Sequence, residues 1–155
     1  MNEAPIRATI LIVDDEPAIR DYEATLLGEL GHEVLVAADG AEALELAATK
    51  SPHLVLLDIM MPELSGIEVC RQLRANPRTK DIRVIVVSAV DAKRALEESI
   101  IAGADDFLAK PIHALELMLR VRSMLRVRKI TDEEARLEAY VKNLQAMRRL
   151  EQAES

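Results

Sequence analysis

The sequence predicts a doubly wound α/β fold, a mostly parallel sheet with helices on both faces, continued by a long C-terminal helix. Three observations predict it. Short apolar runs rich in β-branched residues recur along the chain, too short for helices and too apolar to leave either face in water. Stretches with apolar residues at helical spacing lie between them, so strand and helix alternate. Several of the runs end abruptly in an acid, a hydroxyl or a lysine, which is where open α/β sheets place their chemistry.

Thr9-Ile10-Leu11-Ile12-Val13 reads as the first buried strand, ended by Asp14-Asp15-Glu16. Pro17 suits a helix's first turn, Ile19, Tyr22, Leu26 and Leu30 recur at helical spacing, and Gly31 supplies the stop. Residues 33–37 form a short strand. Asp39-Gly40 caps a helix to about Thr49, broken by Ser51-Pro52. Leu54-Val55-Leu56-Leu57 is the central strand, and Asp58 ends it. After a loop containing Pro62, Ser65 caps a helix to about Ala75 with Ile67, Cys70 and Leu73 inward. Val84-Ile85-Val86-Val87 is the fourth strand, ending in Ser88-Ala89. A helix from about Asp91 carries Ala95, Leu96 and Ile100 and stops at Gly103. Asp106-Phe107-Leu108-Ala109 is the fifth strand, ending in Lys110-Pro111, and a helix starts near His113. Five β/α units without internal repeats fit the flavodoxin-like strand order 2-1-3-4-5.

The 155 residues suffice for one domain of usual size plus an extension. Half are apolar and 30% charged, as in a globular chain with a real core. No apolar run approaches the ~20 residues of a membrane span, and the N-terminus has neither a basic nor an apolar leader segment. The lone cysteine, Cys70, excludes an internal disulfide and a cysteine-rich metal site. A cytoplasmic chain with no membrane partner is the expectation. The net charge of −7 argues against general nucleic-acid binding by this segment.

In the order 2-1-3-4-5, strands one, three, four and five are neighbours. Their carboxyl ends carry Asp14-Asp15, Asp58, Ser88 and Lys110, all on one edge of the sheet. Ionised carboxylates about 4 Å apart repel by about 4 kcal/mol at an effective dielectric near 20. A hard divalent cation relieves that, and an all-oxygen set suits Mg²⁺, which binds through one or two carboxylates and phosphate. A hydroxyl and an ammonium opposite are what phosphoryl oxygens need.

With Asp14-Asp15, Asp58-Ile59-Met60-Met61-Pro62 and Gly66, Ser88-Ala89 and Lys110-Pro111 in this order and spacing, the chain resembles the receiver domain of two-component response regulators over about residues 7–126. The resemblance implies that Asp58 accepts a phosphoryl group from a sensor histidine kinase or a phosphotransfer protein. It implies that Asp14 and Asp15 hold Mg²⁺, Asp15 more directly, with Asp58 and the backbone carbonyl of Met60 as the other protein ligands. Ser88 and Lys110 then contact the phosphoryl oxygens, Lys110-Pro111 matches the family's cis peptide, and Phe107 takes the aromatic switch position beside Ser88 and Pro111. The implied function is a phosphorylation-activated switch that relays a change through the fourth helix, fifth strand and fifth helix. It catalyses at most its own phosphotransfer and dephosphorylation.

Each residue also has a plainer reading. Asp58 can simply end its strand, Asp14-Asp15 can end a strand and cap a helix, Ser88 can be an N-cap, Lys110 a solvated loop lysine and Phe107 core. His32, His53 and His113 are scattered and read as structural. Two other function classes compete. A metal-dependent phosphohydrolase on a similar sheet lacks its Asp-x-Asp nucleophile here. A phosphorylation-independent interaction module would tolerate loss of site residues, and none is lost. The absence of Gly-x-x-x-x-Gly-Lys excludes a P-loop GTPase.

Residues 1–126 are expected to form the receiver and 127–155 a helical extension, a coiled-coil linker to an output domain. No Gly or Pro occurs from Ile112 to Ser155, so a continuous helix is expected, with Leu115, Met118, Leu119 and Leu125 packing back on the sheet. Val127, Ile130, Leu137, Val141 and Leu144 form a heptad-like stripe, interrupted by Glu134, that predicts a homodimer through this helix, with the face of the fourth helix, fifth strand and fifth helix as a second candidate surface. Thr131-Asp132-Glu133-Glu134 reads equally well as a capping box that starts a separate helix.

Overall fold

The computed structural model describes residues 6–89 and 93–154. The elements are β1 (Thr9–Val13), α1 (Pro17–Glu29), β2 (Glu33–Ala37), α2 (Gly40–Lys50), β3 (Leu54–Asp58), α3 (Gly66–Ala75), β4 (Arg83–Ser88), α4 (Lys93–Ala102), β5 (Asp106–Ala109), α5 (Ala114–Val127) and α6 (Glu133–Glu154). All strand pairs are parallel and the order is β2-β1-β3-β4-β5, the flavodoxin-like arrangement the alternation predicts. The predicted start of α4 near Asp91 lies outside the described residues. Among the described residues no helix is long and apolar enough to cross a membrane. The chain divides into two compact units, Arg7–Pro111 and one built from α5 and α6.

Strand side chains alternate between faces. Leu11, Val13, Val55, Leu57, Val84 and Val86 join one buried cluster with Ala43 and Ala47 of α2, Val69, Cys70 and Leu73 of α3, and Ala102 of α4. Ile10, Ile12, Leu54, Leu56 and Ile85 alternate with these and are equally buried. Cys70 sits in the first cluster, its thiol donating weakly to the Ala102 carbonyl at 3.5 Å. The helix signals are local: the Asp39 carboxylate accepts from the Glu42 N–H at 2.8 Å, and the Ser65 hydroxyl accepts from the Glu68 N–H.

Three helix faces differ from the sequence reading. In α1 the buried residues are Glu23 and Leu27, whereas Tyr22 and Leu30 are exposed. Ile19 and Leu26 are half-buried, and the Arg20 guanidinium donates to the Asp14 carbonyl at 2.8 Å. In α4, Ser99 and Ala102 are buried and Ile100 is exposed. In α5 the expectation fails only in part: Leu119 and Leu125 are buried as expected, with Leu117, Val121 and Met124 beside them, while Leu115 is exposed.

The continuous C-terminal helix is corrected too. The chain leaves the helix after Val127 and a separate helix starts at Glu133, capped by Asp132, whose carboxylate accepts from the Ala135 N–H at 2.8 Å, in place of the Thr131–Glu134 box the sequence suggests. Contacts between α5 and α6 show that α6 folds back along α5. The stripe is thereby split: Leu144 is buried, while Leu137 and Val141 are exposed.

At the sheet edge opposite the strands' carboxyl ends, Asp105 ties three elements together. Its carboxylate takes Arg74 of α3 at 2.9 Å, Arg83 of β4 at 3.1 Å and the Val84 N–H at 2.8 Å. The Arg83 side chain is only 6% exposed, and removing one partner of a buried pair costs about 3–5 kcal/mol. Asp105→Ala is therefore expected to lose about 3 kcal/mol in urea unfolding. A loss within the scatter of surface substitutions would show that the cluster is decorative.

Candidate functional site

The sheet's hydrogen-bond ladder continues past the strand ends and holds the candidate residues. The Asp14 N–H donates to Ala37 carbonyl at 3.2 Å, the Ile59 N–H to Val87 at 3.0 Å and the Lys110 N–H to Ser88 at 2.7 Å. Asp14 continues the parity of Ile10 and Ile12, and Asp58 that of Leu54 and Leu56, so both leave the sheet on the same face. Gly66 lets the first turn of α3 close onto the end of β3: an added Cβ would lie 2.1 Å from the Asp58 carbonyl oxygen. Only a residue without a side chain fits there. The Lys110–Pro111 peptide is cis.

Lys110 is the centre of the site. Its ammonium lies 3.2 Å from Asp14 Oδ2 and 3.5 Å from Asp58 Oδ1. Asp14 and Asp58 are 1% and 3% exposed, so two carboxylates buried at the sheet edge share one cation. The Met60 N–H also donates to Asp58 Oδ1, at 3.3 Å, and the Glu16 N–H to Asp14 Oδ1 at 2.9 Å. Burial pushes the Asp58 carboxyl up to about 6; the Asp14 charge adds to this, and Lys110 with the Met60 N–H opposes it. Burial alone would pull the Lys110 ammonium down, but the Asp58 and Asp14 carboxylates override it and hold the group above its usual value.

Asp14, Asp15 and Glu16 bring carboxylate oxygens within 4.8 Å of one another, with Asp15 and Glu16 exposed. Hard oxygen donors that open to solvent are the donor chemistry Mg²⁺ prefers, because it keeps several waters. The residues present fit that ion.

The structure thus joins Asp14, Asp58 and Lys110 by direct contact and places Asp15 and Met60 next to them. Ser88 closes β4, 3% exposed. It lines a cavity with Met60, Met61 and Ala89 toward α4. Phe107 pairs with Val86 and packs, half-buried, against the α2/α3/α4 cluster rather than with the carboxylates. Pro111 is exposed.

Two acids were missed. Glu16 extends the Asp14-Asp15 run, and adjacency alone could have flagged it. Glu23 carried no signal, since the apolar row of α1 points elsewhere. It is 2% exposed. Burial pushes its carboxyl up to about 8, with Asp14 and Asp58 adding to the rise and Lys110 opposing it.

The family model described as "Response regulator receiver domain" matches residues 10–122. Response regulator MprA of Mycobacterium ulcerans (strain Agy99) is 44% identical over 126 residues, covering 81% of this chain and 53% of that protein. Response regulator PleD of Caulobacter vibrioides is 43% identical over 133 residues, covering 85% of this chain and 29% of that protein. The chain therefore spans about half or less of the curated relatives it matches. The receiver domain of the Francisella response regulator 1452 superposes with a TM-score of 0.72 at 34% identity, covering 79% of this chain and 99% of that one.

Proposed function

The chain belongs to the response regulator receiver family, and from that premise we propose that it is a phosphorylation-activated switch whose acceptor is Asp58. The observation that carries this reading is the pair of buried carboxylates, Asp14 and Asp58, held by one ammonium at 3.2 and 3.5 Å at the carboxyl edge of the sheet. The phosphoryl donor is the phosphohistidine of a sensor histidine kinase or phosphotransfer protein, met in the cytoplasm. The receiver occupies residues 1–126, and 127–155 is a helical extension through which a second copy of this chain associates.

Transfer proceeds in line. An Asp58 carboxylate oxygen forms the new O–P bond as the histidine N–P bond breaks, its electron pair returning to the imidazole. Lys110 already touches Asp58 and holds its positive charge where the equatorial phosphoryl oxygens gain negative charge. Asp14, Asp15, Asp58 and the Met60 carbonyl would hold Mg²⁺, with Glu16 beside them. That ion supplies charge neutralisation to the same oxygens. The product concentrates roughly −1.5 to −2 charge at the end of β3. The Ser88 hydroxyl turns to donate to it, Phe107 follows into the space released, and the outer surface of α4 and β5 changes.

Incubation with Mg²⁺ and acetyl phosphate tests this: intact mass should rise by one phosphoryl group, and a chelator should suppress the rise. Absence of any uptake with every small donor and with a kinase would leave the fold without the function.

The metal set makes a separate prediction. Asp15→Asn removes one charge from an exposed ligand and should weaken Mg²⁺ binding about tenfold or more, read by calorimetry. Unchanged affinity in both Asp15→Asn and Asp14→Asn would remove these residues from the site.

A further inference from the structure

Two of the three histidines, well apart in the chain, meet on consecutive amides of one strand. The Ala8 N–H donates to His32 Nδ1 at 3.2 Å, and the Thr9 N–H donates to His53 Nδ1 at 3.0 Å. Ala8 and Thr9 are where the chain enters β1. Successive amides of a strand point to opposite sides. Each imidazole precedes the strand on its own side, His32 before β2 and His53 before β3. The same entries are joined by backbone as well: the Glu33 N–H donates to the Ala8 carbonyl and the His53 N–H to the Thr9 carbonyl, both at 2.9 Å. The first amides of β1 are thus satisfied by side chains, whereas Asp14, at the strand's other end, donates to the backbone carbonyl of Ala37.

A ring nitrogen that accepts an N–H carries no proton, so both imidazoles are neutral with the proton on Nε2. Histidine takes up its second proton between about pH 5 and 8. It then has two donors and no acceptor, and N–H faces N–H at Ala8 and Thr9. Ala8 is 5% exposed, so water does not readily replace the lost acceptor. Burial holds the His32 ring below its usual value, which favours the neutral form the bond requires. The charged groups of the elements adjoining His32 are Arg7, whose guanidinium approaches Gly31, Glu29 at the end of α1 and Glu33 at the start of β2, all exposed. Those adjoining His53 are exposed Lys50 at the end of α2, exposed Asp81, and buried Arg83, whose guanidinium goes to the Asp81 carbonyl and the Asp105 carboxylate.

We propose that His32 and His53 form an acid-opened latch on the start of β1, closed while the rings are neutral, each half released when its ring gains a proton. Release frees the strand's entry, Arg7 to Thr9, and leaves the interior ladder of β1 with β2 and β3 in place. β1 also carries Asp14 to the carboxyl edge, so the far end of that strand is anchored by bonds that weaken in acid. The latch lies at the other end of the sheet from Asp58 and is independent of the phosphoacceptor reading. Its sign opposes that of the carboxyl edge. Glu23 and Asp58 hold their protons above the usual carboxylate range, so falling pH strengthens the fold through them and weakens it through the latch.

Amide hydrogen exchange on the full chain in chelator, from about pH 8 to about pH 5, tests it residue by residue. Each rate is corrected for the intrinsic pH dependence of exchange. In the wild type, protection at Ala8 and Thr9 should fall about tenfold or more over this range, while Leu11 and Ile12 keep theirs. His32→Asn puts a non-titrating oxygen where Nδ1 stands and should make Ala8 protection independent of pH. His53→Asn should do the same for Thr9. His113→Asn is the control: that ring makes no capping hydrogen bond at α5, and the substitution should change neither profile. Imidazole nitrogen chemical shifts in the wild type give a second readout, with both rings protonated on Nε2 alone at about pH 8. Level wild-type protection at the two amides, or an acid loss kept by either asparagine variant at its own amide, overturns the latch. A uniform loss along β1 overturns it too, since the whole fold and not the strand's entry would then be opening.

Discussion

Asp58→Asn should take up no phosphoryl group under conditions that label the wild type fully. The substitution keeps the size of the side chain at the end of β3 and removes the anionic nucleophile. Asparagine's amide oxygen is a poor nucleophile, and no other described carboxylate shares Asp58's surroundings: Lys110 at 3.5 Å, the Met60 N–H at 3.3 Å, and near-complete burial. Asp14 is buried as well, but its Oδ1 is engaged by the Glu16 N–H and its Oδ2 by Lys110. Intact-mass measurement after acetyl phosphate treatment decides. Labelling of Asp58→Asn at the wild-type rate would move the acceptor elsewhere. The variant should also be more stable than the wild type without metal, because one of two buried charges is gone.

The second large effect is on stability. In chelator, the protein should become less stable as pH rises from about 4.5 to about 8, and Glu23 should dominate. The unfolded Glu23 ionises near 4.5, whereas the folded carboxyl holds its proton to about 8. Below 4.5 both states are protonated and no difference arises. Above it the unfolded chain releases a proton that the folded chain keeps, so unfolding gains with each unit, and the loss is complete once pH passes 8. At 1.36 kcal/mol per unit the window amounts to roughly 5 kcal/mol. Asp58, raised from 3.8 to about 6, adds the same sign over the lower part of the window. Lys110 titrates above it. Glu23→Leu, which continues the Leu27 packing, should flatten the profile and gain several kcal/mol near pH 8. Urea unfolding across the window measures this, and parallel profiles for wild type and Glu23→Leu would refute it. A carboxylic acid at an inward helix position, placed against two acids and a lysine, is a stability cost that the site's electrostatics impose.

How much of this was legible in the sequence differs residue by residue. The positions of Asp14, Asp58, Ser88 and Lys110 were readable because each follows an unbroken apolar run, and a strand's end is local information. The Asp39 and Ser65 caps were readable for the same reason. The apolar row Ile19, Tyr22, Leu26, Leu30 misled because helical spacing shows that a helix has a face without showing that this face is buried. Leu137 and Val141 misled likewise: their spacing announces a partner surface, and α5 takes only the neighbouring row.

The sequence by itself determined the strands, their order and the edge on which the acids, the hydroxyl and the lysine collect. A parallel strand buried on both faces requires a continuous apolar run, and five such runs joined by crossovers leave one carboxyl edge for polar residues. The tertiary structure alone decided the rotation of α1 that buries Glu23, the sharing of Lys110 between Asp14 and Asp58, the approach of Gly66 to the Asp58 carbonyl and the fold-back of α6 onto α5. Each of these depends on a helix's rotational phase or a hinge's direction. Such degrees of freedom cost almost nothing locally and are set only when packing partners distant in the chain are in place.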